Sequence, residues 1–184
     1  MFKLLIPFLL VAAAVTACNS EPEFPLQQVD FDVATFNRER AAWLEQGMGA
    51  YSYEFVYGSL ATGLRYIHAR VTVEDNAITD IEDLGPAEEW KDDLYNDHME
   101  SIIRLYGGVT AIYTHISDWY AAESKKLGDK EQLRCEMRYN AQHRYPEYVN
   151  YGVSTYRYAG NNTWIAAAGS GTTLKLSNFQ ITDN

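Results

Sequence analysis

Apolar positions recur along this chain with two periods, and the switches between them mark out the elements. Phe36, Trp43 and Leu44 fall at i, i+7 and i+8, one face of a helix predicted over about Phe31–Gln46. Asp32 or Thr35 can cap its start, and Gly47 is placed to end it. The period then drops to two. Tyr51, Tyr53, Phe55 and Tyr57 alternate with Ser52, Glu54 and Val56, the pattern of a half-buried strand. After a glycine-bearing loop over Gly58–Arg65, Ile67, Ala69, Val71 and Val73 take one face and His68, Arg70 and Thr72 the other. Glu74-Asp75-Asn76 predicts a tight turn, because Asp and Asn tolerate left-handed backbone, and Ala77–Ile81 returns as a third strand.

Helical spacing comes back with Met99, Ile102, Ile103 and Tyr106, a short amphipathic helix in which Asp97 and Glu100 have capping-box spacing. Gly107-Gly108 ends it. A longer helix over Thr110–Leu127 places Ile112, Ile116 and Trp119 inside, and Gly128 closes it. Alternation resumes as Leu133, Cys135, Met137 and Tyr139 against Gln132, Arg134, Glu136 and Arg138. A turn over Asn140–Glu147 contains Pro146, and Tyr148–Tyr158 forms the next strand. Asn161–Gly171 reads as a small-residue loop carrying Trp164, and Thr172–Ile181 as the last strand. The order is helix, three strands, helices, three strands. It predicts one α+β domain, an antiparallel sheet of five or six strands with helices packed on one face.

The first residues follow neither period. Lys3 precedes an unbroken apolar run, Leu4–Val15, which is shorter than the roughly 20 residues a membrane-spanning helix needs. It matches the core of a signal peptide. The next step, Val15-Thr16-Ala17-Cys18, resembles a bacterial lipobox, with Val where Leu is commoner. That resemblance implies a lipoprotein signal peptide over 1–17 and a lipidated Cys18 as the first mature residue, acylated on its thiol and its amine. Each buried methylene contributes about 0.8 kcal/mol and a single chain holds only reversibly, so two or three chains anchor firmly. Residues 18–29, with Pro22 and Pro25, then read as the lipidated cysteine and a tether, and 30–184 as the domain. The expected location is the cell envelope, lipid-anchored, on the periplasmic face of the outer membrane if the cell is Gram-negative.

Charge narrows the partners. The chain carries a formal net charge of -10, and removing residues 1–17 takes away Lys3 and no acid. Such a field repels nucleic acid, so no nucleic-acid partner is expected; the expected partners are the membrane, through the lipid anchor, and an envelope protein. Cys18 and Cys135 are the two cysteines, so acylation of Cys18 leaves Cys135 without an intramolecular partner. The acids concentrate between Asp80 and Glu100, where nine face one base, Lys91.

Several of these features together resemble a bacterial domain of unknown function, family 6174. The helix ending in Trp43 and followed by Tyr51-Ser52-Tyr53 is similar to its opening. So is Val71-Thr72-Val73-Glu74-Asp75-Asn76-Ala77-Ile78, a strand, an acidic turn and a strand. Arg138-Tyr139-Asn140 followed by Tyr145-Pro146 resembles its Tyr-Asp … Gly-Tyr-Pro signature, with Asn140 in place of Asp and Arg144 in place of Gly. Leu174–Phe179 matches the close. The resemblance covers about Ala34–Ile181 and implies a fold and export, without an activity. Against it, the acidic helical stretch near 85–109 reads as an insertion.

Residues with catalytic chemistry are weakly organised. Cys135 sits mid-strand between Leu133 and Met137 on the apolar face, a buried structural thiol. There is no Gly-x-Ser-x-Gly elbow around Ser52, Ser154 or Ser170. His68, His98, His115 and His143 lie far apart without zinc-protease spacing, and His115 reads as solvated beside Ile116. Asp92, Asp93, Asp97 and Glu100 offer oxygens but no calcium-loop pattern, so neither metal nor cofactor is expected. Tyrosines are the most suggestive feature. Tyr51 and Tyr53 on one strand, with Tyr145 and Tyr148 near the C-terminal hairpin, are the candidate partner-binding residues. A non-catalytic binding or assembly module is the favoured reading. The alternative is a small hydrolase or carbohydrate-binding protein that uses the acidic insertion, joining Glu54 to its acids in a concave pocket.

Overall fold

The computed structural model describes residues 21–59, 64–85 and 93–182; Cys18 and the expected signal peptide lie outside the described residues. The side chains of 64–66 and 93–98 are outside them as well. The chain is an α+β protein, with eight strands and three helices among the described residues. In order, these are β1 (Val29–Phe31), α1 (Val33–Gln46), β2 (Ala50–Ser59), β3 (Leu64–Glu74), β4 (Ala77–Asp83), α2 (Asp93–Tyr106), α3 (Val109–Glu123), β5 (Glu131–Tyr139), β6 (Pro146–Gly160), β7 (Thr163–Gly169) and β8 (Thr172–Ile181). The sheet runs β1-β5-β6-β8-β2-β3-β4, with β7 paired to β6; β1 lies parallel to β5 and the other pairs are antiparallel.

Eight strands replace the five or six expected, and both additions have a physical cause. β1 is three residues long, too short for alternation to show, and exists through its parallel pairing of Val29 with Leu133 and Phe31 with Cys135. β7 was expected to be loop because Ala166-Ala167-Ala168-Gly169 carries no alternation. It forms because Asn161 and Asn162, at φ 51° and 56°, make the left-handed turn that folds it onto β6. β7 and β8 run the same way along β6, with Gly169 opposite Ser154 and Thr172 opposite Tyr151. They form one long arm, carried past the junction by Ser170 N–H donating to the Val153 carbonyl at 2.9 Å. Gly152 faces that junction, and a Cβ there would collide with the Ser170 carbonyl oxygen.

The core follows the alternation. Tyr51, Tyr53, Phe55 and Tyr57 of β2 cluster with Ile67, Ala69, Val71 and Val73 of β3, Cys135 of β5, Val149 and Tyr151 of β6, and Leu174 and Leu176 of β8. Phe36 and Trp43 of α1, Ile103 and Tyr106 of α2, and Ile112, Tyr113 and Ile116 of α3 belong to the same cluster. The opposite positions of the strands, among them Arg70, Arg134 and Glu136, are exposed. β8 departs from alternation once. Between Ser52 and Glu54 the register gains a residue, and Asn178 takes φ 53°, a bulge that turns Phe179 inward after Leu176.

The ends of α1 behave as its sequence predicts, whereas α3 stops at Glu123 with Ser124 as its cap, four residues short of the expected Leu127. Asp32 Oδ1 accepts from Thr35 N at 2.9 Å, and Gly47 closes α1 at φ 58°. α2 begins four residues before Asp97, the expected cap, and its C-terminal half is core: Ile103 is fully buried and Ile102 and Tyr106 nearly so. The stretch read as an insertion therefore supplies part of the interior. Its end at Gly107 is tight. A Cβ on Gly107 would collide with the Ile103 carbonyl oxygen and with Ile78 Cδ1. Gly107→Ala is expected to destabilise the domain by about 1–3 kcal/mol through this overpacking, read as a lowered urea midpoint with an unchanged slope. An unchanged midpoint would show that the α2–α3 corner yields freely.

Candidate functional site

The four candidate tyrosines do not share a surface. Tyr51 and Tyr53 are fully buried and Tyr145 nearly so. Tyr145 stacks on Phe179 at 4.4 Å between ring centroids, and Tyr51 on Phe179 at 5.3 Å. Tyr148 alone of the four is half-exposed, on the other face of the sheet, with the Arg138 guanidinium 4.4 Å above its ring. The signature residues also serve packing. Trp43 Nε1 donates to Thr110 Oγ1 at 3.1 Å, joining α1 to α3, and Tyr139 stacks on Tyr113. Asn140 Oδ1 accepts from the N–H groups of Gln142 and His143, which builds the turn before Tyr145-Pro146. Arg144 stands at φ 60°, its carbonyl accepts from Tyr113 Oη at 2.5 Å, and its guanidinium reaches the buried Glu39 carboxylate at 3.3 Å.

Cys135 is buried, and burial pushes its thiol up to about 12, so it stays protonated and unreactive at neutral pH. Among the described residues no three His, Cys, Asp or Glu side chains converge as a metal site. Glu100 pairs instead with Arg104 one turn on, at 2.5 Å. Glu54 lies on the helix-free face with Arg70 at 3.4 Å and His68 at 3.6 Å. A hydrogen bond from Asn178, then those from Arg70 and His68, hold its carboxyl below its ordinary value. Glu54 and Glu100 thus lie on opposite faces of the sheet and form no joint pocket.

His115 is where the structure departs most from expectation. It is half-buried rather than solvated, because Ile112 and Trp119 at i-3 and i+4 turn its edge of α3 toward the sheet. Its Nε2 lies 3.0 Å from Tyr151 Oη and 3.2 Å from Tyr106 Oη, and those two hydroxyls are 2.6 Å apart. Trp119 closes on Tyr151 edge-to-face at 4.8 Å. A neutral imidazole with its proton on Nδ1 accepts at Nε2. Tyr106 then donates to Tyr151, and Tyr151 to His115, which satisfies all three groups. Burial lowers the His115 pKa, with Asp118 opposing, and burial together with the Tyr151 contact raises that of Tyr106. The cluster ties α2, α3 and β6 together by polar contacts.

Two further features went unseen in the sequence. One is a cleft of about 390 Å³ between the β3–β4 turn and the α2–α3 corner. Tyr51, Ile78 and Ile81 line its apolar part, and Asn76, Arg104 and Thr110 its polar part. Asn76 follows Asp75 through a left-handed turn at φ 62° and 50°, as the acidic turn predicts. The other is a strap. Residues 21–28, read as a tether, lie fastened to the fold. Phe24 packs 5.2 Å from both Tyr156 and Trp164, Gln28 Oand Nε2 bond Leu133 N and Gly128 O, and Glu21 pairs with Lys130. Phe24 between Pro22 and Pro25, with Leu26 just after, was the available signal. No family model matches the chain, and no curated protein matches it either.

The linkage sign for His115 is definite. Its folded pKa lies below the unfolded value of about 6.5, so near and below that pH the unfolded chain binds the proton first. The contribution to stability is complete above about pH 6.5 and declines as the pH falls toward the lowered folded value. His115→Gln, which keeps an acceptor but cannot titrate, is expected to flatten the loss of stability below about pH 6.5 in urea unfolding. An identical pH slope in the variant would mean that the cluster does not select the neutral imidazole.

Proposed function

We propose that this chain is a lipid-anchored protein of the bacterial cell envelope whose domain is a non-catalytic binding or assembly module. The observation that carries the anchor is Val15-Thr16-Ala17-Cys18 after a short apolar run. Cys18 bears the lipid, and the domain is presented on the periplasmic face of the outer membrane in a Gram-negative cell. What supports a module is the α2–α3 cleft: preformed, walled by a rigid turn and two helix ends, and bordered by the acidic stretch. Its partner on this reading is an envelope protein offering an apolar side chain flanked by polar groups. Joint catalysis by Glu54 and Glu100, the described acid of the insertion, finds no support, since the sheet separates the two. Kinship with domain family 6174 is supported at one point of geometry: Arg144 occupies a left-handed position, which glycine in the family signature adopts without strain.

Radiolabelled palmitate is expected to enter the wild-type chain and to be lost with Cys18→Ser. Equal labelling of the variant would overturn the anchor. For the module, a companion protein recovered with the intact lipoprotein from solubilised envelopes is expected to disappear with Ala111→Trp, which fills the cleft, and to persist with Lys125→Ala. Retention by Ala111→Trp of every companion would remove the cleft as the binding site.

A further inference from the structure

The first described residue of the fold, Glu21, is three residues from Cys18, and three residues reach at most about 11 Å. If Cys18 is acylated, as proposed above, the end of the domain that carries Glu21 cannot leave the bilayer surface. That end is specific. Val29 pairs with Leu133, so the strap runs back from it toward Lys130 and the part of β6 beyond Thr155. The β6–β7 hairpin projects from the same end, past the register neighbours Ser59, Thr172 and Tyr151.

The surface there is aromatic. Trp164 contacts Phe24 of the strap and, at 5.6 Å, Tyr158 across the hairpin, and Lys130 stands 5.4 Å from its ring. Leu26, two residues along the strap from Phe24, and Ile165, next to Trp164 and on the other face of the hairpin, are 39% and 37% exposed, two of the few large apolar side chains that reach solvent among the described residues. Trp164 Nε1 is enclosed without a hydrogen-bond partner, so the cluster is an unfinished piece of packing. Tryptophan and tyrosine with an adjoining lysine, here Lys130 paired with Glu21, suit the zone where headgroups meet acyl chains. A chain of net charge -10 is not drawn to anionic headgroups as a whole, so attraction has to come from this patch.

We infer that the strap and the β6–β7 hairpin form a membrane-docking surface, whose occupant is the interfacial zone of the bilayer that holds the acyl chains of Cys18. The docking sets an orientation. β6 has 15 residues, and at about 3.3 Å each they reach roughly 45 Å. The β5–β6 turn at Asn140–Tyr145 and the β3–β4 turn beside the α2–α3 cleft lie at the opposite end of the sheet. The cleft therefore faces away from the membrane.

The test uses the acylated chain in phosphatidylcholine–phosphatidylethanolamine vesicles containing a doxyl-labelled lipid quencher. An environment-sensitive fluorophore is placed at Thr163→Cys on the hairpin or at Gln142→Cys on the far turn, Cys135 being buried. Quenching at 163 is expected to exceed that at 142 by at least threefold, and Trp164→Ser to reduce the difference severalfold while circular dichroism stays unchanged. A chain that floats with the vesicles, carries acylated Cys18 by mass spectrometry and shows equal quenching at both positions overturns the docking and leaves the anchor standing. A chain without acyl groups on Cys18 that does not float overturns both.

Discussion

Two hydroxyls on the central strand hold this fold to its helices. α2 and α3 break at Gly107-Gly108, and a break between helices leaves carbonyls at one end and N–H groups at the other without partners. Tyr53 Oη donates to the Gly107 carbonyl at 2.5 Å, and Tyr51 Oη accepts from Val109 N at 3.2 Å. Both tyrosines stand on β2, between β8 and β3, with their rings buried in the sheet's apolar face. Burying a hydroxyl without a partner is costly, so the corner and the strand stabilise each other: each satisfies what the other would leave open. The corner's position then sets the cleft wall at Gly108 and Thr110 and brings Tyr106 to His115 and Tyr151.

The same pair shows why the tyrosines misled as a candidate surface. Alternation correctly assigns Tyr51, Tyr53, Phe55 and Tyr57 to one face of β2, and that face is core. Alternation says nothing about what a phenol hydroxyl meets. Here two of them meet helix-end backbone, a contact between residues more than fifty positions apart. His115 went astray for a related reason. On a helical wheel it sits at the margin of the apolar stripe, where a polar residue is solvated unless another element supplies hydroxyls. Tyr106 and Tyr151 do so from α2 and β6.

What the sequence made legible was local: the ends of α1, the left-handed Asp75-Asn76 turn, the burial of Cys135 and six of the strands. What it concealed depended on pairing. β1 and β7 have too little pattern of their own and exist because β5 and β6 present open edges to them. The bulge at Asn178 breaks period two at the point where the core needs Phe179, so strict alternation would have put Asn178 inside. The strap was hidden because two prolines in a short polar segment look like a linker whether or not a surface waits for Phe24.

The strap changes the physics of the proposed anchor. A free linker of ten residues lets a domain tumble over its membrane, and its contacts with the bilayer average over all orientations. A linker fastened from Glu21 onward removes most of that freedom, leaving two residues, Asn19 and Ser20, between the fold and Cys18. The orienting entropy is then lost once, on folding, rather than at each encounter. The strap's fastenings divide the labour. Gln28 and Gln27 bond β5 and its neighbours through backbone groups and fix the path, while Phe24, by ring packing, and Glu21, by its exposed pairing with Lys130, hold the far end. The second is the weaker and the nearer to Cys18. Fraying of the strap should therefore begin at its Glu21–Phe24 end, the part nearest Cys18.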